Sequence, residues 1–360
     1  MRDLKYWVWL SSLPGIGSRK FYNLIDHFET AENVFNSTTE ELKRCGVINN
    51  ETVNVVVNNR SIEKIDKYLI KVKDNDVNVY LSSQEEYPSN LKNIYDPPPI
   101  LYSLGDLKPE DNEAIAIVGS RKATEYGLKT AEKLASELVQ NGLTVVSGMA
   151  LGIDAAAHKG AIKGGGRTIA VFGCGVTNPQ PRSNTNLYRE ILKSGAVVSE
   201  YPLGIKPIPG NFPARNRIIS GLSLGTLVVE ASIKSGSLIT ADFALEQGRD
   251  VYAVPGNISS PNSIGTNNLI KNGAKLVNCI EDILYELPGN YSVKAANAMQ
   301  FELNKVEALI TALLENGKSI DDLVIETGME INEILSNVAI MELKGIIKSI
   351  NGIYYCELTT

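Results

Sequence analysis

Ala114-Ile115-Ala116-Ile117-Val118-Gly119-Ser120-Arg121 is five apolar residues running into a glycine, a hydroxyl and a guanidinium. A continuous apolar run of this length, closed by a turn residue, is the pattern of a strand buried on both faces. A helical spacing follows through Leu128, Ala131, Leu134, Ala135 and Leu138 and stops at Asn141-Gly142. The alternation then repeats. Strands are expected over Leu143–Val146, Thr168–Phe172, Ala196–Ser199, Thr226–Val229, Val251–Val254 and Leu276–Cys279. Helices are expected over Ile153–Ala161, Leu187–Leu192, Arg217–Leu222 and Ser237–Gln247. Strands alternating with helices predict a Rossmann-like, doubly wound, mostly parallel α/β sheet, whose ligands bind beyond the C-terminal ends of its strands.

Outward from this core the pattern changes twice. Up to about Lys73 the chain reads as short helices, with Leu13-Pro14-Gly15-Ile16-Gly17 as a turn before an amphipathic stretch through Phe21, Leu24, Ile25 and Phe28. Two glycines ahead of a helix N-terminus resemble a helix-hairpin-helix, whose N–H groups hold a phosphate. A tight turn in a small bundle is the plainer reading, and both stand. Asp96-Pro97-Pro98-Pro99 reads as a rigid connector. From about Phe301, helices over Val306–Leu314, Ser319–Thr327 and Ile331–Leu343 precede strands Ile346–Ile350 and Ile353–Cys356 around Asn351-Gly352. That order predicts a winged helix. Its third helix carries Glu330, Glu333 and Glu342 against Lys344. Carboxylates repel phosphates, so a protein-contact or regulatory role is expected there. The expected domains are 1–73, 74–290 and 301–360.

The formal net charge is −6, and residues 301–360 hold 10 acidic and 4 basic residues, which accounts for all of it. Any nucleic-acid site elsewhere must be a local basic groove. The N-terminus lacks a signal-peptide pattern and no run approaches a membrane-spanning length, so a cytoplasmic protein without membrane contact is expected. Cys45, Cys174, Cys279 and Cys356 are far apart, as are His27 and His158, so neither a zinc site nor a disulfide framework is expected.

The loops of the core lack the glycine fingerprints of dinucleotide sites and of P-loops, and no cofactor is expected. They suit phosphate instead. Gly119, Ser120 and Arg121 close a strand just before a helix, where N–H groups, helix dipole and guanidinium converge on an anion. Ser235, Gly236 and Ser237 open another helix, with Thr240 one turn in; the plainer reading is an N-cap. Asn211-Phe212-Pro213-Ala214-Arg215-Asn216-Arg217 pairs an aromatic with cations, which is how single-stranded nucleic acid is held; a core phenylalanine with surface arginines fits as well. Asp154 and His158 share a helix face at spacing four and form either an acid/base pair or a packing pair. Glu200, Glu230 and Glu246 are the other carboxylates considered for hydrolysis.

Taken together, Ile117–Arg121, Ser147-Gly148-Met149-Ala150, Gly152-Ile153-Asp154, Ala157-His158, Phe212–Ser223, Val229-Glu230-Ala231, Ser235–Ala241 and Val254-Pro255-Gly256 are similar, in order and spacing, to the DprA/Smf (DNA-processing protein A) family. One departure is Gln180-Pro181, with Arg182 and Asn184 nearby, where the family carries an aspartate and a Tyr-Pro. The resemblance implies an extended Rossmann fold flanked by an N-terminal SAM/helix-hairpin-helix-like domain and a C-terminal winged helix. It implies a non-enzymatic homodimer that binds single-stranded DNA and loads RecA during natural transformation. By match to the family's DNA pocket, Ser120 and Arg121 take phosphate, Phe212 stacks a base, and Arg215 and Arg217 supply backbone charge. Gly119, Gly148, Asn216, Ser235, Gly236, Ser237 and Thr240 complete the expected DNA site. A related Rossmann-like hydrolase of nucleotide glycosidic bonds is the alternative.

Overall fold

The computed structural model describes residues 2–287, 291, 304–314, 317–343, 346–350 and 352–356. Its two compact units are Met1–Val293 and Lys294–Thr360. The first opens with six helices, α1 (Arg2–Ser12), α2 (Ser18–Phe28), α3 (Ala31–Asn36), α4 (Thr39–Arg44), α5 (Asn50–Asn58) and α6 (Ile62–Asp74). They close around Trp9, Leu10, Phe21, Leu24 and Leu42. Side-chain oxygens cap several of them: Thr38 and Glu41 form a capping box on α4, and Asn49 caps α5.

The sheet follows within the same unit. Its strands are β1 (Asn78–Leu81), β2 (Ile100–Leu104), β3 (Ala114–Val118), β4 (Thr144–Ser147), β5 (Thr168–Val171), β6 (Ala196–Ser199), β7 (Gly225–Val228), β8 (Asp250–Ala253) and β9 (Lys275–Leu276). They lie in the order β1-β2-β6-β5-β4-β3-β7-β8-β9. From β6 to β9 every pairing is parallel, while β2 joins β6, and β1 joins β2, antiparallel. The core strands form where expected, because their residues are apolar on both faces and both faces are covered.

The helices between the strands are α7 (Ser89–Lys92), α8 (Glu125–Gln140), α9 (Ile153–Lys163), α10 (Thr185–Ser194), α11 (Asn211–Gly221), α12 (Gly236–Glu246), α13 (Ile264–Lys271) and α14 (Glu281–Leu284). On one face Ile115, Ile117 and Val145 pack under α8 and α9. On the other Ala116, Val118 and Val171 pack under α11 and α12. The chain runs from β3 toward β6 on one side and then returns to β7 on the other, so β3 and β7 flank the topological switch point.

The strands β1 and β2 correct the expected picture, since the proline-rich stretch 96–99 is the lead-in to a sheet strand. Pro99 O accepts from Ser82 N at 3.0 Å. The last strand is Lys275–Leu276 rather than Leu276–Cys279, and the turn after it leads into α14. Helix α11 begins at Asn211, six residues before the expected start. Among the described residues no helix is long and apolar enough to cross a membrane.

The second unit holds α15 (Lys305–Leu313), α16 (Ile320–Thr327) and α17 (Ile331–Leu343), then β10 (Ile347–Ile350) paired antiparallel with β11 (Ile353–Cys356). Ser319 and Asp322 form a capping box on α16. Ile310, Leu323, Ile334 and Met341 make its core. Lys344, Asn351 and residues 301–303 lie outside the described residues.

Candidate nucleic-acid interface

The loops after β3 and β7 meet at the switch point. Ser120 N donates to Glu230 O at 2.7 Å, and Ile153 N at the start of α9 donates to Ser120 O at 3.2 Å. This close approach requires Gly152: its φ is +79° and a Cβ there would sit 2.2 Å from Ser120 O. The Ser120 hydroxyl accepts from Lys122 N at 3.1 Å, turning the loop toward α8. Glu230 fixes the far side of that turn, accepting from Thr124 N at 2.9 Å and from the Thr124 hydroxyl at 2.5 Å. Asn262 spans both loops, donating to Lys122 O at 2.7 Å and to Glu230 Oε2 at 3.4 Å.

Between these loops and the first turns of α11 and α12 lies a cavity of about 430 Å³. Gly119, Ser120, Arg121, Phe212, Arg215, Asn216, Ser235, Gly236, Ser237 and Thr240 all line it, ten of the twelve residues singled out in the sequence. Three cations (Arg121, Lys122, Arg215) face one carboxylate (Asp154), leaving the lining net positive. Arg121 and Lys122 are exposed. Neither side chain has a hydrogen bond or ion pair among the described residues, so both are available to an anion. Ser235 caps α12 through Ser237 N, which puts the positive end of a helix dipole at the same cavity. Asn216 Nδ2 ties α11 to it by donating to Gly236 O at 3.3 Å. Phe212 is half-buried, its ring set against Gly173, and offers an aromatic wall.

Arg215 reaches this cavity from beneath. It is 4% exposed, and its Nη1 donates to Gly148 O at 3.0 Å and also to Val171 O. Gly148 does not line the cavity. Its place is under Arg215, because a Cβ at 148 would fall 2.4 Å from Arg215 Nη1. Burial pushes the Arg215 pKa down to about 10, with Asp154 opposing, so the group stays cationic at neutral pH. Burial raises the Asp154 pKa, against Arg215 and the N–H of Ala150. Asn184 secures the loop above, donating to Met149 O at 3.0 Å.

Arg217 departs from the expectation of a phosphate contact. It lies on another flank of α11, 6% exposed, with Nη2 donating to Glu200 Oε2 at 2.7 Å and Nε to Asp96 Oδ2 at 2.9 Å. Burial alone would lower its pKa, but Glu200 and Asp96 hold it raised. Such a guanidinium is spent on holding the fold together. Lys122, Asp154 and Asn262 line the cavity but had not been assigned to a DNA site from sequence. Lys122 follows Arg121 directly and was legible; Asn262 arrives from a loop after β8, and no motif marks it.

The Asp154–His158 pair does not meet as acid and base. The Thr168 hydroxyl donates to Val145 O at 2.8 Å, so at 2.7 Å from His158 Nδ1 it accepts that ring's proton. Among the described residues His158 Nε2 is buried without a partner, and burial pushes the pKa down to about 3. His158 is therefore a neutral core residue. Glu230 is a loop tie, Glu200 an ion-pair partner, and Glu246 exposed.

Over residues 78–288 the chain matches the profile of DNA recombination-mediator protein A. It is 41% identical to protein Smf of Escherichia coli (strain K12) over 282 residues, 76% of this chain and 75% of that relative. It is 44% identical to DNA processing protein DprA of Bacillus subtilis (strain 168) over 226 residues, 62% of this chain and 76% of the relative. Among solved structures, DprA from Streptococcus pneumoniae superposes with a TM-score of 0.70 at 36% identity, covering 79% of this chain and 98% of that one. A structure of DNA processing protein A from Helicobacter pylori, described for its single-stranded DNA binding mode, gives 0.53 at 33% identity, covering 58% and 94%. With its sheet order, its strand-end loops and matches of this extent, the chain belongs to the DNA recombination-mediator protein A (DprA/Smf) family.

Proposed function

We propose that the chain binds single-stranded DNA in the cavity at the β3–β7 switch point and acts as a recombination mediator. The observation that carries this reading is the convergence of three cations, a helix N-terminus and the Phe212 ring on one cavity. Phosphate attraction and base stacking are the two terms that hold single strands. The Helicobacter pylori relative, studied for single-stranded DNA binding, supports it. Protection of incoming DNA, loading of a RecA recombinase in natural transformation, assembly as a homodimer and a cytoplasmic location complete the proposal. So does a non-enzymatic role, supported by the neutral, walled-in His158. On this reading the helices before β1 form a SAM/helix-hairpin-helix-like domain and the second unit a winged helix that meets protein rather than DNA.

The test is fluorescence anisotropy of a labelled dT oligonucleotide, with duplex as competitor. Wild type should prefer the single strand. Its affinity should fall with salt at a log–log slope of about −0.7 per phosphate contact. No binding, or a flat salt response, would overturn the proposal. Buried Asp154 at the cavity floor is the feature that favours a nucleotide hydrolase instead. Release of free base from nucleoside monophosphates would decide for that reading.

A further inference from the structure

A second cavity, of about 450 Å³, lies along another flank of α11 and has the opposite charge balance. It opens between the Leu13–Gly17 turn and the sheet. Two carboxylates, Asp96 and Glu200, face one guanidinium, that of Arg217. Arg217 commits Nε to Asp96 and both Nη atoms to Glu200. A phosphate placed here would meet net negative charge and a cation already engaged. Its lining includes the half-buried aromatic rings of Tyr201 and Phe243. Flat π-faces beside the more exposed carboxylate, Asp96, of which Arg217 engages only Oδ2, suit a nucleobase that presents N–H donors. A carboxylate accepts from the exocyclic amine of cytosine, whereas thymine offers it one N3–H held between two repelling carbonyls.

The two cavities are contiguous through one helix. Phe212, Pro213, Arg215 and Asn216 line the first, and Ala214 and Arg217 line the second. They lie on two flanks of one helix, whose diameter is about 10–12 Å. At a rise of about 3.4 Å per stacked nucleotide, that is roughly three nucleotides. We infer that the cavity beside the Leu13–Gly17 turn is a nucleobase subsite. It takes a base about three nucleotides along from the phosphate held at Arg121 and favours bases with an exocyclic amine. The inference rests on the single-strand reading above, and it gives the Leu13–Gly17 turn a part in binding as a wall.

The test uses the full chain and a set of labelled dT 10-mers, each with one dC at a successive position. Wild type should bind one or two adjacent registers about fivefold or more tightly than dT alone, the low end of a good base contact. Gly17 lines the cavity, has φ −88°, and a Cβ there meets nothing within 4 Å. Gly17→Trp should therefore fill the cavity without backbone strain and remove the dC advantage. A variant-free check is photo-crosslinking of 5-iodo-dC in the favoured register to peptides containing Tyr201 or Phe243. Binding of dT that responds to Arg121→Ala, with no register preferring dC, would overturn the subsite alone. A dC advantage that survives Gly17→Trp, or crosslinks elsewhere, would overturn it too. Absence of any dT binding would remove the single-strand reading and the subsite together.

Discussion

Replacing Arg217 by methionine separates a structural arginine from a DNA-binding one. Arg217 is 6% exposed, and its partners Glu200 and Asp96 have side chains 17% and 39% exposed. Removing one member of a buried pair costs about 3–5 kcal/mol, because the charge left behind is unpaired. Asp96 is screened by solvent and adds little, so the lower end, about 3 kcal/mol, applies. With a urea slope of roughly 3 kcal/mol/M, the midpoint should drop by about 1 M. Tryptophan fluorescence reads this directly, since both tryptophans, Trp7 and Trp9, are in α1, and Arg217 reaches α2 at Ser18. Adding Glu200→Leu to the variant should recover part of the loss. The folded variant should bind a dT oligonucleotide with the wild-type salt slope. An unchanged midpoint together with a slope shallower by about 0.7 would refute this reasoning and restore Arg217 to the phosphates.

Gly148→Ala should lower the urea midpoint by the equivalent of about 1–3 kcal/mol, since its Cβ lands on the buried Arg215 guanidinium; an unchanged midpoint counts against that packing. Phe212→Ala should weaken single-strand binding by about 1–3 kcal/mol, and Arg121→Ala should make the salt slope shallower by about 0.7. Anisotropy titrations at several salt concentrations read both. Burial holds the His158 pKa at about 3 when folded against 6.5 unfolded, so only the unfolded chain takes up the proton between those values. Stability from this group is complete above pH 6.5 and falls by about 1.4 kcal/mol per pH unit down to about 3. Asp154, with a raised pKa, acts in the opposite sense in acid. The difference in urea midpoint between wild type and His158→Gln at pH 7.5, 6 and 5 isolates the histidine, and a constant difference would refute it.

Strands with two covered faces were legible, to the residue in Ala114–Val118 and Ala196–Ser199 and to within one residue at either end in β4, β5, β7 and β8, because continuous apolar runs have no other use in a short segment. The antiparallel strands β1 and β2 were not. Asn78–Leu81 is an edge strand with mixed burial, and the prolines before Ile100 drew that region toward a loop. The loops that gather at one cavity were legible because glycine, hydroxyl and cation together at a strand end stand out from their surroundings. Which arginine of Phe212–Arg217 faces the cavity was not. Residues at spacing two point to different flanks of a helix, and where α11 begins decides which flank each one takes. The acids that claim Arg217 come from distant segments, at 96 and 200.

The pairing of β2 with β6 has a consequence for synthesis. The strand ends at Leu104 and its partner begins at Ala196, about 90 residues later. At roughly 5–20 residues per second, β2 waits some 5–20 s for β6 to emerge. During that interval β2 has β1 on one side, and its other edge waits without a partner. The nascent chain thus carries an open strand edge behind an already formed helical bundle, and this is the stage at which a ribosome-associated chaperone would have most to hold.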